Sequence, residues 1–336
     1  MPSPSELASR FDEFRDTFGK LSGEIHRAIV GYDELIVECL AAVFCQGHVL
    51  LEGVPGLGKT YLVKVLSRVL GIAAGRVQCT PDLMPSDILG THIVGEDANG
   101  RRAFRFERGP VFANILLVDE INRATPKTQS ALLEVMQEHA VTIGGERHAV
   151  PLPFFVLATQ NPMEMEGTYP LPEAQLDRFF FKLKVPFPKL EALVEISKRT
   201  STFDEPVLAE ILTGAQLTAM QELITHVPVA DPITSYAAQL ILATHPEQSR
   251  GGGKVARFVS YGASPRGLQA LVRAARVFCL LDGRTAVSVE DVRRAVRPAL
   301  RHRVILNFEG EAEAVDVDRL INDLLAEVPA PGALAA

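Results

Sequence analysis

Residues 53–60 read GVPGLGKT, sharing Gly53 with the apolar run HVLLEG (48–53) and leading through Tyr61 and Leu62 into VKVLSRVL (63–70). The segment matches G-x-x-x-x-G-K-[ST], and its setting between a short apolar strand and a helix is the one that pattern requires. Its glycines let backbone N–H groups turn inward around phosphate oxygens, and the helix start behind them adds potential that favours an anion. Lys59 has the reach for the outer phosphates of a nucleotide, and the Thr60 hydroxyl suits Mg²⁺. Gly53, Val54, Pro55, Gly56, Leu57, Gly58 and the adjoining Tyr61 complete the expected nucleotide-binding segment.

Around this loop the chain is punctuated by short apolar runs. RVQC (76–79), NILLVDE (114–120), FFVLATQN (154–161) and RFFFKLKV (178–185) each end in polar residues and alternate with helical patterns. Runs of this kind, buried on both faces and separated by helices, indicate a parallel α/β sheet. Ahead of them, Phe11, Phe14, Phe18, Leu21, Ile25 and Ile29 recur every three to four residues, an amphipathic helix. A loop at Val30-Gly31 leads to a second helix through Leu35, Leu40 and Val43. Beyond PFPKLEA the strand runs stop. Helices are expected near 190–200, 215–226, 232–245, 265–281 and 288–301, a smaller all-helical domain with a fraying, proline-broken end. The division expected is a core over 1–188 and a linker and lid over 189–336.

Composition narrows the class. The chain has 336 residues, 47% of them hydrophobic and 22% charged, with a formal net charge of −7. This is a globular composition whose acidic balance argues against a general nucleic-acid binder. Cys39, Cys45, Cys79 and Cys279 have neither CxxC nor metal-ligand spacing and read as buried thiols of a cytoplasmic protein. No apolar run approaches the roughly 20 residues needed to span a bilayer.

Three strand tips and one helix start carry the other candidate residues. In ILLVDEIN (115–122), Asp119 would hold Mg²⁺ through water and Glu120 would polarise an attacking water. Asn161, at the end of FFVLATQNP, either meets a terminal phosphate and its water or forms an Asx-type turn before Pro162. Arg178, in EAQLDRFFF, is either an ion-pair partner of Asp177 or a catalytic cation. In GASPRG (262–267), Ser264 is a good N-cap and Pro265 fits the first helical position, so Arg266 lies at the positive end of a helix dipole. A cation there calls for a compensating anion.

Taken together, GVPGLGKT, VDEINRA, ATQNP, LDRF and GASPR resemble, in order and across nearly the whole chain, the AAA+ ATPases of the MoxR family. The resemblance implies a P-loop core with a five-stranded parallel sheet of order 5-1-4-3-2, a helical lid, ATP and Mg²⁺ as cofactors, and a hexameric ring. Lys59 and Thr60 then belong to the Walker A motif, Asp119 and Glu120 to Walker B. Asn161 matches sensor 1, Arg178 the arginine finger and Arg266 sensor 2, acting within its own subunit or on the next. Val30 and Gly31 match the segment that lines the adenine pocket. Residues 91–110 look like the insert that interrupts helix 2 in this clade, with a turn between Gly95 and Gly100, and 139–151 like its presensor hairpin around Gly144-Gly145.

The implied activity is ATP hydrolysis that remodels or assembles partner proteins, in a chaperone-like way or for cofactor or metal insertion, often with a von Willebrand factor A-domain partner. A nucleic-acid-dependent motor and a metal-chelatase motor subunit share the architecture and stand as alternatives. Arg101, Arg102, Arg105 and Arg108, interleaved with Phe104 and Phe106, form a basic edge on the first insert, where a solvated hairpin or subunit contact is favoured over a nucleic-acid contact.

Overall fold

A computed structural model describes residues 3–96, 102–163, 167–201, 206–248 and 253–331. Five parallel strands form the central sheet: β1 (Val49–Glu52), β2 (Ala74–Gln78), β3 (Ile115–Asp119), β4 (Phe155–Gln160) and β5 (Phe181–Lys184). Their spatial order is 2-3-4-1-5, which read from the other edge is the expected 5-1-4-3-2. The register aligns Glu52 with both Gln160 and Lys184, and Gln78 with Asp119, so the C-terminal strand tips lie along one edge.

The apolar runs are continuous because both faces are covered. Val49, Leu51, Ile115, Leu117, Phe155 and Leu157 face one core, shared with α1 (Pro4–Ala28), α2 (Asp33–Phe44) and α3 (Lys59–Val69). Leu50, Leu116, Val118, Val156 and Ala158 face the other, where Leu132, Leu133 and Met136 of α4 (Pro126–Glu138) meet them. The residues between alternate with period two, so one strand supplies two cores.

α1 is set by a capping box between Ser3 and Glu6 and buries Phe14, Leu21 and Ile25 completely. It packs on α2, on α3 of the core, and on two lid helices, α6 (Gly214–Ile224) and α8 (Pro265–Leu281). The region beyond β5 also contains α5 (Leu190–Ser201), α7 (Asp231–Ala243), α9 (Val289–Leu300) and α10 (Val317–Glu327). It is not all-helical: Val259–Tyr261 and Ile305–Leu306 form a short antiparallel ladder. Two and three residues are too few to leave a periodic signal, which is why the sequence showed only helices.

The first insert is an antiparallel hairpin of Gly90–Glu96 and Arg102–Arg108; its tip, including Arg101, lies outside the described residues, as do Gly251, Gly252 and residues 332–336 of the end. The second pairs Ala140–Ile143 with Glu146–Ala149 through Gly144 and Gly145, both at positive φ. The hairpins touch where the Phe106 ring stacks on His148 at 4.2 Å, while Phe104 is exposed. All four cysteines are free and buried.

Core and lid also meet across a cavity of about 540 Å³ lined by Glu38 of α2 and by Arg294 and Arg301 of the lid. Burial pushes the Glu38 carboxyl from 4.5 up to about 7, with Glu34 and Asp318 adding to the rise and Arg301 and Arg294 opposing it. Unfolded chains ionise this carboxyl first, so stability is fullest below its unfolded value and falls as pH rises through about 7. Glu38→Gln should therefore gain on the order of 2–3 kcal/mol over the parent at pH 8 and nothing near pH 4, read from urea midpoints. An equal gap at both pH values would contradict a buried charge.

Candidate functional site

Gly56 and Gly58 hold φ of 82° and 76°, left-handed conformations that turn the loop after β1 back toward the start of α3. Gly53 is needed for space: a Cβ there would lie 2.9 Å from the Val185 Cβ. The Lys59 ammonium folds across the loop and donates to the carbonyls of Gly53 at 2.6 Å and Val54 at 3.3 Å. Burial lowers its pKa, and Asp119 and Glu120 work against that shift.

The tip of β3 faces this loop from two strands away. Asp119 is 8% exposed. Its Oδ2 accepts from Arg76 Nε at 2.9 Å and lies 3.5 Å from the Thr60 hydroxyl, and its Oδ1 is 3.3 Å from the Thr159 hydroxyl. A carboxylate beside a threonine hydroxyl is a hard-oxygen pair suited to Mg²⁺, an ion that keeps most of its shell for waters and phosphate oxygens. Among the described residues no three His, Cys, Asp or Glu side chains gather into an all-protein metal site.

Glu120 stands in the left-handed region at φ 56°. That strain swings its side chain out of the strand line, and the Thr159 hydroxyl secures the turn by accepting the Glu120 N–H at 2.9 Å. The carboxylate receives Gln78 Nε2 at 3.1 Å and Arg123 Nη1 at 2.9 Å. Asn161, 5% exposed at the tip of β4, accepts the Met163 N–H at 3.1 Å, so the Asx turn does form.

Beside the loop lies a cavity of about 370 Å³ with mainly apolar walls, lined by Val30, Tyr32, Leu57, Tyr61 and, from the lid, Leu193 and Ile196. Gly31 lines the adjoining charged cavity instead. Glu38, Leu193 and Ile196 escaped sequence reasoning because a helix periodicity tells which face is apolar, not what that face covers.

Two predicted cations are elsewhere. Arg178 precedes the N-terminal end of β5, whereas the phosphate loop leaves the C-terminal end of the parallel β1 beside it. It borders α4 near Glu134 and Gln137, and its Nε is buried without a hydrogen-bond partner. Nor is it the partner of Asp177, whose carboxylate pairs with Arg303 at 2.8 Å and Arg266 at 3.7 Å. Arg266 is thus tied to the residue just ahead of Arg178, and Asp177 supplies the anion that its helix-start position calls for.

A parallel sheet of this order, with a phosphate loop on β1 and a lid after β5, is the architecture of the AAA ATPases. The profile of the family "ATPase family associated with various cellular activities (AAA)" matches residues 48–181, and that of the AAA lid domain matches 254–324. A Mycobacterium tuberculosis protein named Chaperone MoxR1 is 44% identical over 308 residues, which cover 92% of this chain and 81% of that one. Protein MoxR of Methylorubrum extorquens is 34% identical over 340 residues, covering 95% and 96%. The crystal structure of a candidate ATPase from Cytophaga hutchinsonii superposes with a TM-score of 0.90 at 37% identity, over 96% of this chain and 98% of that one. The chain belongs to the MoxR family of AAA+ ATPases. No helix among the described residues is long and apolar enough to cross a membrane.

Thr159 ties both carboxylate residues together and is 1% exposed. Thr159→Val, which keeps volume but removes the acceptor of the Glu120 N–H, should lower the unfolding free energy by about 1–3 kcal/mol. Thr159→Ser should lose less than half of that in the same denaturant titration. Identical midpoints for all three proteins would mean that the hydroxyl contributes nothing.

Proposed function

We propose that this protein hydrolyses ATP with Mg²⁺ at sites shared between neighbouring copies of a ring, a hexamer by family resemblance, and uses the cycle to remodel partner proteins in a chaperone-like way. A von Willebrand factor A-domain protein is the partner class that the family suggests. The observation that carries the reading is the separation of the cations. Lys59, Thr60, Asp119, Glu120 and Asn161 gather at one sheet edge, whereas Arg178 precedes the opposite end of β5 and Arg266 is tied to Asp177 beside it. A triphosphate on the loop therefore meets these arginines only if a second copy presents them. On this reading Arg266 acts on the adjacent subunit, not on its own.

The geometry supports the following roles. The loop N–H groups and Lys59 would bind the β- and γ-phosphates, and the apolar cavity at Val30 would take the base. Thr60 and Asp119 would hold Mg²⁺, which neutralises phosphate charge. Glu120, released from Gln78 and Arg123, would orient the attacking water, with Asn161 beside it. Arg178 and Arg266 of the neighbour would balance the charge that develops on the transferred phosphoryl.

The nucleic-acid alternative has less support. In the hairpin carrying the basic edge, Arg105 pairs with Glu107 at 3.0 Å and Arg108 lies over the Phe112 ring. The Glu107 carboxylate beside Arg105 reduces the net positive charge that this edge offers to a phosphate backbone.

Glu120→Gln should bind ATP as the parent does while turnover is abolished. Arg178→Ala should keep its affinity and lose about 10³–10⁵ in rate. Parent-like hydrolysis by both variants, measured as phosphate release, would refute the assignment.

A further inference from the structure

We infer that Asp177 of the core and Arg303 of the lid are positioning residues that clamp Arg178 and Arg266 into one rigid unit for presentation to the neighbouring subunit. The inference rests on the shared-site reading above and goes beyond it, since it assigns roles to residues that touch neither nucleotide nor metal.

Arg303 is 5% exposed, just past the end of α9. Its guanidinium donates to the Asp177 carboxylate at 2.8 Å and to the carbonyls of Asp177 at 3.0 Å, Phe179 at 2.7 Å and Phe180 at 3.2 Å. It also reaches the Ala299 carbonyl of its own helix. The neighbouring His302, also buried, bonds the Phe179 carbonyl through Nε2 at 3.0 Å. Burial holds that ring's pKa well below its ordinary value, so the ring is neutral and Nε2–H is the donor. These bonds bracket Arg178 on both sides and leave its side chain out of the network.

From the same carboxylate a second branch runs to Arg266. The Ser264 hydroxyl donates to Asp177, 2.9 Å from Oδ1 and 2.8 Å from Oδ2, and accepts the Arg266 N–H at 3.1 Å as the N-cap of α8. The Arg266 guanidinium itself lies 3.7 Å from Asp177 Oδ2. One carboxylate therefore fixes the backbone that carries each arginine. A peg serving stability alone would need neither the cap at Ser264 nor the ion pair to Arg266.

The test uses the full-length chain. Asp177→Asn keeps the shape and one acceptor but removes the charge that both branches share. It should hold nucleotide within about twofold of the parent and lose about tenfold or more in turnover, because small misplacements of a charge-stabilising group are costly. Arg303→Lys, whose single amine cannot serve the three carbonyls and the carboxylate together, should behave alike and guards against a folding failure of the first variant. Each is then mixed with Lys59→Ala, which lacks its own site but can lend intact arginines. Mixing should restore turnover, as it should for Arg178→Ala with Lys59→Ala. If only the Arg178→Ala mixture recovers, or if Asp177→Asn hydrolyses at the parental rate, the clamp is refuted. If the Arg178→Ala mixture also stays inactive, the shared-site reading itself fails, and the clamp with it.

Discussion

A sheet buried on both faces can present polar side chains only at the ends of its strands. The polar residues at the tips of β1, β3 and β4 follow from that constraint. The faces of β1, β3 and β4 are occupied by apolar residues serving two cores, and polar residues begin where each strand leaves the sheet. Parallel strands bring all their C-terminal tips to one edge, and order 5-1-4-3-2 puts the phosphate loop next to β4 and two strands from β3. Glu52, Gln78, Asp119 and Gln160 are aligned there by backbone register, before any side-chain contact is considered. Antiparallel pairing of any one strand would move its tip to the far edge.

Local chemistry made the nearer half of this site legible in the sequence. GVPGLGKT needs glycine backbone freedom and a helix start within a few residues, so its geometry is contained in its own spacing. The same holds for Ser264 and Pro265, which cap α8 as their residue types suggest. Partners contributed by distant segments were not legible. Gln78 comes to Glu120 from β2, Thr159 from β4, and Arg303 comes to Asp177 from the lid. In RHRV (301–304) nothing distinguishes a buried guanidinium from a solvated one, because its surroundings are made by residues more than a hundred positions away. Arg266 shows the limit most clearly. Its position implied a compensating anion, and a triphosphate was the one the sequence offered; within the chain the anion is Asp177.

Asp177 faces two cations under different conditions, and the difference bears on function. Arg303 is enclosed, its pKa lowered by burial and held up by Asp177, so removing the carboxylate would strand a desolvated charge. Arg266 is 47% exposed at its side chain and sits at 3.7 Å without a hydrogen bond to the carboxylate among those described. Exposed pairs of this kind contribute roughly 0–1 kcal/mol.

That asymmetry is what a cation needs if it is to be positioned and yet available. A guanidinium bound as firmly as Arg303 could not exchange its carboxylate for phosphate. One with no partner would be disfavoured at the helix start and free to sample many rotamers. The weak pair at Asp177 offsets the dipole and narrows the search, while on the proposed shared-site reading a phosphate, with more negative charge and a bidentate fit to the guanidinium, would make the stronger contact and displace it. The buried pair would keep the backbone still during that exchange. Firm support for the main chain and a loose hold on the side chain thus come from a single carboxylate, one residue ahead of Arg178.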